Sequence, residues 1–218
     1  SHRINLRMEY KIDSANSLFI IPNISFQKNN TLSNFSSDNF YAINDSTNTS
    51  LGGTEADKNG FNIRNNIMLR HSFPKRGRSL SVGFNTAWSK NDGETLTDTK
   101  FKFYKNGLVT DSSLNRFADN ATNGTTIGGN IAFTEPIGKK SQLQIDYTPS
   151  IQKNKANQET FSYDGQKYNV FDASLSNKFD NTITTHNAGL NYRLGQSRDE
   201  QLSVGINFQT ANLQSDRV

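Results

Sequence analysis

Apolar and polar residues alternate with a two-residue period through much of this chain. In residues 125–151, Ile127, Gly129, Ile131 and Phe133 alternate with Gly128, Asn130, Ala132 and Thr134, the pattern of a strand with one wet face. EPIGKK follows, where a proline fixes φ and a glycine is free to take positive φ, so the chain reverses. Alternation then resumes, with Leu143, Ile145, Tyr147, Pro149 and Ile151 on one face and Gln142, Gln144, Asp146, Thr148 and Ser150 on the other. The unit is a hairpin of two strands of about ten residues each, the length that crosses a bilayer at a tilt.

The same unit recurs along the chain. In residues 3–12, Ile4, Leu6, Met8, Tyr10 and Ile12 share a face; DSAN turns the chain; and residues 17–27 return with Leu18, Ile20, Pro22, Ile24 and Phe26 on the apolar face. Phe19 and Ile21 break the alternation there, and Pro22 removes one ladder donor, so a bulge or an edge position is expected at it. Residues 60–73 and 79–89 pair across PKRGR, and residues 181–194 and 201–211 across GQSRDE. The tight turns recur about every 60 residues, and LSVGFN at Leu80 returns as LSVGIN at Leu202. Between the hairpins, polar stretches at about 28–59, 90–123 and 152–180 read as long loops. The expected fold is all-β, an antiparallel up-and-down meander of about eight strands (four hairpins) forming part of a transmembrane β-barrel, with residues 1–218 as one segment.

Composition fits a sheet with a narrow apolar face. Only 33% of residues are hydrophobic although 11% are aromatic, and the polar excess is Asn, Ser, Thr and Gln more than charge. No run approaches the roughly 20 apolar residues of a membrane helix. With no cysteine, disulfides and thiolate chemistry are excluded. The net charge of +4 comes from scattered Lys and Arg with no nucleic-acid-binding module, so nucleic acid is not an expected partner.

Aromatic residues sort by position relative to the turns. Tyr10, Phe73, Phe133 and Tyr192 end strands just before a short turn, whereas Phe26, Trp88 and Phe208 lie well beyond one. Two such belts, roughly 25 Å apart, would be the girdles of a membrane barrel. Catalytic chemistry is thin: His2, His71 and His186 have no ligand pattern, and no HExxH, phosphate loop, nucleophile elbow or EF-hand spacing occurs. Neither an enzyme nor a cofactor or metal is expected. Phe40, Tyr41, Tyr104, Tyr163 and Tyr168 in the polar stretches are candidate ligand contacts, because tyrosine joins flat apolar area to a hydrogen-bonding tip.

EPIGKK after an aromatic, NGLVTDSSLN at residues 106–115 and LSNKFDNTITTHNAGLNY at residues 175–192 resemble the outer-membrane β-barrel region of TonB-dependent receptor-like proteins of Bacteroidota. That resemblance implies a barrel of about twenty-two strands around a plug domain. It also implies residence in the outer membrane of a Gram-negative bacterium, contact with its lipid, and uptake of a nutrient (a sugar, peptide or metal chelate) with energy relayed by TonB. The chain shows no TonB box, no plug and too few strands, so an internal cut of a larger protein, reaching TonB through absent regions, is expected. Two other readings stay open: a secreted or surface β-sandwich binding module, whose apolar faces pack on each other, and a complete eight-stranded structural or adhesive barrel.

Overall fold

The computed structural model describes residues 1–40, 47–105, 107–195 and 201–217. Ten strands form a single antiparallel sheet: β1 (His2–Asn5), β2 (Met8–Lys11), β3 (Asn16–Phe40), β4 (Thr47–Ser72), β5 (Ser79–Lys105), β6 (Leu108–Ile137), β7 (Ser141–Tyr163), β8 (Tyr168–Phe171), β9 (Asn177–Leu194) and β10 (Leu202–Arg217). The order is β1-β3-β4-β5-β6-β7-β9-β10, with β2 also on β3 and β8 also on β7. The eight-position meander expected from the alternation is therefore present. Among the described residues no ladder joins β10 to β1 or β2, so the sheet is open.

The sandwich reading fails because there is one sheet, and no apolar side chain among the described residues is buried. The small closed barrel fails with the open sheet.

The first strand is interrupted where a single run was expected. β1 and β2 hold one register on β3, with His2 opposite Phe26 and Lys11 opposite Ser17, and the gap at Leu6 and Arg7 falls opposite Pro22. Leu6 N donates to Pro22 O at 3.1 Å, but Pro22 has no N–H to return. The proline's missing donor thus breaks the outer strand without a bulge, leaving β3 continuous.

The larger correction concerns length. The stretches 28–59, 90–123 and 152–180, expected as loops, are mostly paired strand: Lys28 is opposite Asn59, Leu96 opposite Phe117, and Asn157 opposite Lys178. Strands of 23 to 30 residues (β3 to β7) result. The backbone ladder forms whether or not a side chain is apolar, and Thr-rich runs such as Thr95, Thr97 and Thr99 suit a pleated surface. Lys105 pairs with Leu108, and Gly107 has a φ of +77°, the left-handed conformation that a tight hairpin turn uses. The stretch 152–180 ends in a second hairpin. Asp164 Oδ1 accepts from Gln166 N and Lys167 N at 2.8 Å, Gly165 has φ +103°, and β8 returns along β7.

Register assigns every side chain to one of two faces. Leu18, Leu69, Val82, Ile131, Tyr147, Ala188 and Phe208 lie in one cross-strand row. The neighbouring row on the other face reads Phe19, Met68, Gly83 and Asn130, then Thr148, Asn187 and Gln209, joined where the ladder skips by Asn130 Nδ2 donating to Thr148 Oγ1 at 2.9 Å. The apolar band runs from Leu18 to Phe26 on β3 but from Leu202 to Phe208 on β10, so the row that opens it on β3 closes it on β10. A slide of about one residue per strand, at about 3.3 Å rise and 4.8 Å spacing, tilts the strands by about 35° from the perpendicular to the band. A barrel wall crossing a slab of fixed thickness has this geometry.

Candidate functional site

The polar face carries the most built feature. Beyond the apolar band, β4 to β7 curve around a concavity of about 580 Å³ lined by Lys58, Asn91, Thr97, Arg116, Asn120 and Gln158, among others. All six alternate with outward residues of the same strands; Arg116, for example, sits between Asn115 and Phe117 on β6. Asn91 Nδ2 donates to Thr122 Oγ1 at 3.3 Å and Asn120 Nδ2 to Gly93 O at 3.5 Å, so the amides are oriented by neighbouring strands.

The segment after β8 closes one side of the concavity. Gln158 Nε2 donates to Leu175 O at 3.3 Å, Thr160 Oγ1 donates to the same carbonyl at 3.2 Å, and Thr160 N donates to Ser176 Oγ at 2.9 Å. Asp172 organises that segment: its Oδ1 accepts from Ser174 Oγ at 2.6 Å and Ser174 N at 3.0 Å. Those bonds from Ser174, aided by Leu175 N and the nearby Arg116, hold its carboxyl below the usual carboxylate range. Arg116 NH2 is 4.0 Å from Asp172 Oδ2, and its Nε is buried without a partner. A cation with unspent donors, ringed by amides and hydroxyls, can bind an anionic or hydroxyl-rich solute.

None of these residues stood out in the sequence. Arg116 and Gln158 sit in stretches expected as loops, and the signal that would have found them is the polar alternation of extended strands, which carries no apolar marker.

The structure separates the aromatic ligand candidates from this concavity. Tyr163 and Tyr168 come together, with ring centroids 5.1 Å apart, and Tyr168 OH donates to Asn115 Oδ1 at 2.5 Å while its ring lies 6.1 Å from Phe117. Asn115 and Phe117 point away from the face that carries Arg116. Phe40 ends β3 in full exposure, Tyr104 is opposite Val109 near the end of β5, and Tyr41 lies outside the described residues.

All seven girdle candidates fall on the apolar face. Phe26 and Trp88 are bridged by Phe61, which the pattern did not single out as a girdle residue, at 4.8 and 5.4 Å between centroids. Toward the turns, Phe73 stands 6.2 Å from Phe133. Tyr192 is opposite Leu143, and Phe208 is opposite Ala188. Tyr10 is opposite Leu18 on the edge of the sheet. His71 Nδ1 is 2.8 Å from Asn16 Oδ1, and His186 Nδ1 is 2.7 Å from Tyr147 OH, so both histidines have local partners.

An exposed apolar band on one face, a polar concave surface on the other and strands inclined across the band define a wall of a membrane β-barrel. Residues 71–216 match the model of the outer membrane protein beta-barrel family, and the chain belongs to that family. It is an outer-membrane protein. Among solved structures it is similar to the crystal structure of BauA, the ferric preacinetobactin receptor from Acinetobacter baumannii, at 12% identity and a TM-score of 0.32. That alignment covers 98% of this chain and 39% of the receptor, so the chain spans about two fifths of the receptor's length. No curated protein matches the sequence.

Proposed function

We infer that this chain is part of the wall of an outer-membrane receptor or transporter of the TonB-dependent kind, whose polar face lines a passage for a nutrient. The carrying observation is the polar concavity around Arg116, on the face opposite the apolar band. Its amides and hydroxyls offer many weak hydrogen bonds, which hold a solute without trapping it, and Arg116 selects for anionic or oxygen-rich groups. The aromatic residues at the two borders of the band act as girdles that fix the wall's height in the membrane. TonB dependence and the nutrient class follow from the sequence resemblance at residues 106–115, 135–140 and 175–192.

The test is uptake. A strain lacking the gene is supplied with oligosaccharides, peptides or ferric chelates one class at a time, with and without a protonophore. Uptake of one class is expected to fall and to return on complementation with the native gene, to be abolished by the protonophore, and to return only in part with Arg116→Ala. Unchanged uptake of every class in the deletion strain, or uptake indifferent to the protonophore, would overturn the reading.

A further inference from the structure

The apolar band is dented where β6 and β7 part. Pro149 gives β7 no donor, and the β6–β7 ladder skips from the Gly128/Ser150 pair to the Ile131/Tyr147 pair. Gly129, in the skipped stretch, has no side chain to fill the space. A dent of about 290 Å³ results, walled by Phe84, Ile127, Pro149, Ile151 and His186, almost wholly apolar, and open toward the membrane.

The rim of this dent is polar on one side only. In the row next beyond Ile127 and Ile151, away from the short turns, Trp88, Thr125, Lys153 and Thr182 lie directly across from one another. They supply an indole N–H, an ammonium and two hydroxyls. Lys28, Lys90 and Lys155 nearby are each within 3.5 Å of a carboxylate, on Asp57, Asp92 and Asp180 respectively. Lys153, by contrast, has no acidic partner among the described residues. Farther out, Asp57, Glu94, Asp119 and Glu159 stand opposite one another on four successive strands and would repel an anion. Lys153 is thereby the cation at the mouth of the apolar slot, left free of a carboxylate among the described residues.

We propose that this dent and its rim bind one phosphate-bearing acyl lipid, an acyl chain lying between Gly129 and Pro149 and the phosphate held by Lys153 with Trp88 and the flanking threonines. The occupant must be apolar at one end and anionic at the other, in that order from the turns outward, and a phosphorylated membrane lipid has this shape. The inference depends on which face meets lipid and holds whether or not the barrel transports a nutrient.

The experiment uses full-length protein extracted from the outer membrane into detergent, with dilauroyl phosphatidic acid as the probe and binding read by native mass spectrometry. Lys153→Gln is expected to weaken binding about fivefold, and Lys153→Arg to restore it. Gly129→Phe, whose new side chain fills the dent, is expected to weaken it as well; a Cβ at Gly129 meets only ordinary contacts, 3.7 Å to Gly83 O and to Pro149 Cγ. Lys178→Gln, outside the rim, leaves binding unchanged. The proposal falls if Lys153→Gln binds like the native protein, if uncharged dilauroylglycerol binds as tightly, or if equimolar inorganic phosphate displaces the probe. It also falls if the dent is occupied by a second copy, seen as a dimer that Gly129→Phe dissociates. Should Gly129→Phe fail to fold by circular dichroism, the Lys153 pair decides.

Discussion

Glu135 ties two neighbouring short turns together. Its Oε2 accepts from Arg78 Nε at 2.6 Å, its Oε1 accepts from Arg78 NH2 at 2.8 Å, and Lys75 Nζ approaches Oε1 at 2.5 Å while also donating to Pro136 O at 2.8 Å. The forked bond from Arg78, then that from Lys75, holds the carboxyl at about 2 against an ordinary value of 4.5. A carboxylate whose folded value is depressed stabilises the fold fully above its ordinary value, and that contribution fades as acid brings the pH down through the folded value. Glu135→Gln should therefore lower the thermal midpoint of the protein in detergent at pH 7. The gap between native and variant should hold down to about pH 5 and close near pH 2. A gap that stays constant at pH 2 would mean the clamp acts through shape and not through charge. The ion pair could not be read from the sequence: Glu135 was legible as part of a turn, but which cations reach it depends on turns 57 to 61 residues apart being neighbours in the sheet.

At the scale of strands, the sequence was legible where lipid imposes a pattern and illegible where water does not. Ile4 to Ile12, Leu80 to Trp88 and Leu202 to Phe208 alternate because one face is apolar, and each falls on the apolar face of the sheet. Beyond the band both faces of the strand are wet, so Thr95, Thr97 and Asn120 leave no hydrophobic period although their backbones pair as regularly as those of the band. Asn-Gly at residues 106–107 was the one available sign that β5 and β6 run on to a tight hairpin. Glycine marks the same continuity at Gly52, where a Cβ would meet Asp98 O at 2.7 Å and Thr99 Oγ1 at 2.6 Å, so β4 and β5 approach too closely there for any side chain. Amide exchange separates strand from loop directly. In detergent, residues 91–105 and 108–123 should exchange far more slowly than a solvated loop, and Gly52→Ala should speed exchange at residues 96–100 by about tenfold, a cost of about 1.4 kcal/mol at a backbone contact that must yield. Loop-like exchange through residues 91–123 in the native protein would restore the long-loop reading.

For the whole molecule, the two-faced wall makes sense only if the apolar band meets hydrocarbon, because nothing in the described chain covers it. An open sheet in water would expose Val82, Ile145 and Ile206 together; in a membrane the same surface is satisfied by lipid, and the backbone needs only its neighbours in the sheet. Within the height of the band, Phe19, Ile21 and Met68 stand on the face opposite it, near the edge formed by β1 and β2, and this accounts for the broken alternation at residues 19 and 21. Neighbouring residues at one height then separate the two faces cleanly. Asn130 and Ile131 on β6, and Asn207 and Phe208 on β10, are adjacent in sequence and opposite in direction. The chain has no cysteine, so Asn130→Cys, Ile131→Cys, Asn207→Cys and Phe208→Cys each introduce a single thiol into it. In outer-membrane fragments open on both sides, a charged maleimide should modify positions 130 and 207 about tenfold faster than 131 and 208, since a thiol in hydrocarbon neither ionises nor meets the reagent. A lipid-soluble maleimide should reach 131 and 208. Equal rates within each neighbouring pair would mean that both faces are wet, and the assignment of the apolar band to lipid would then be wrong.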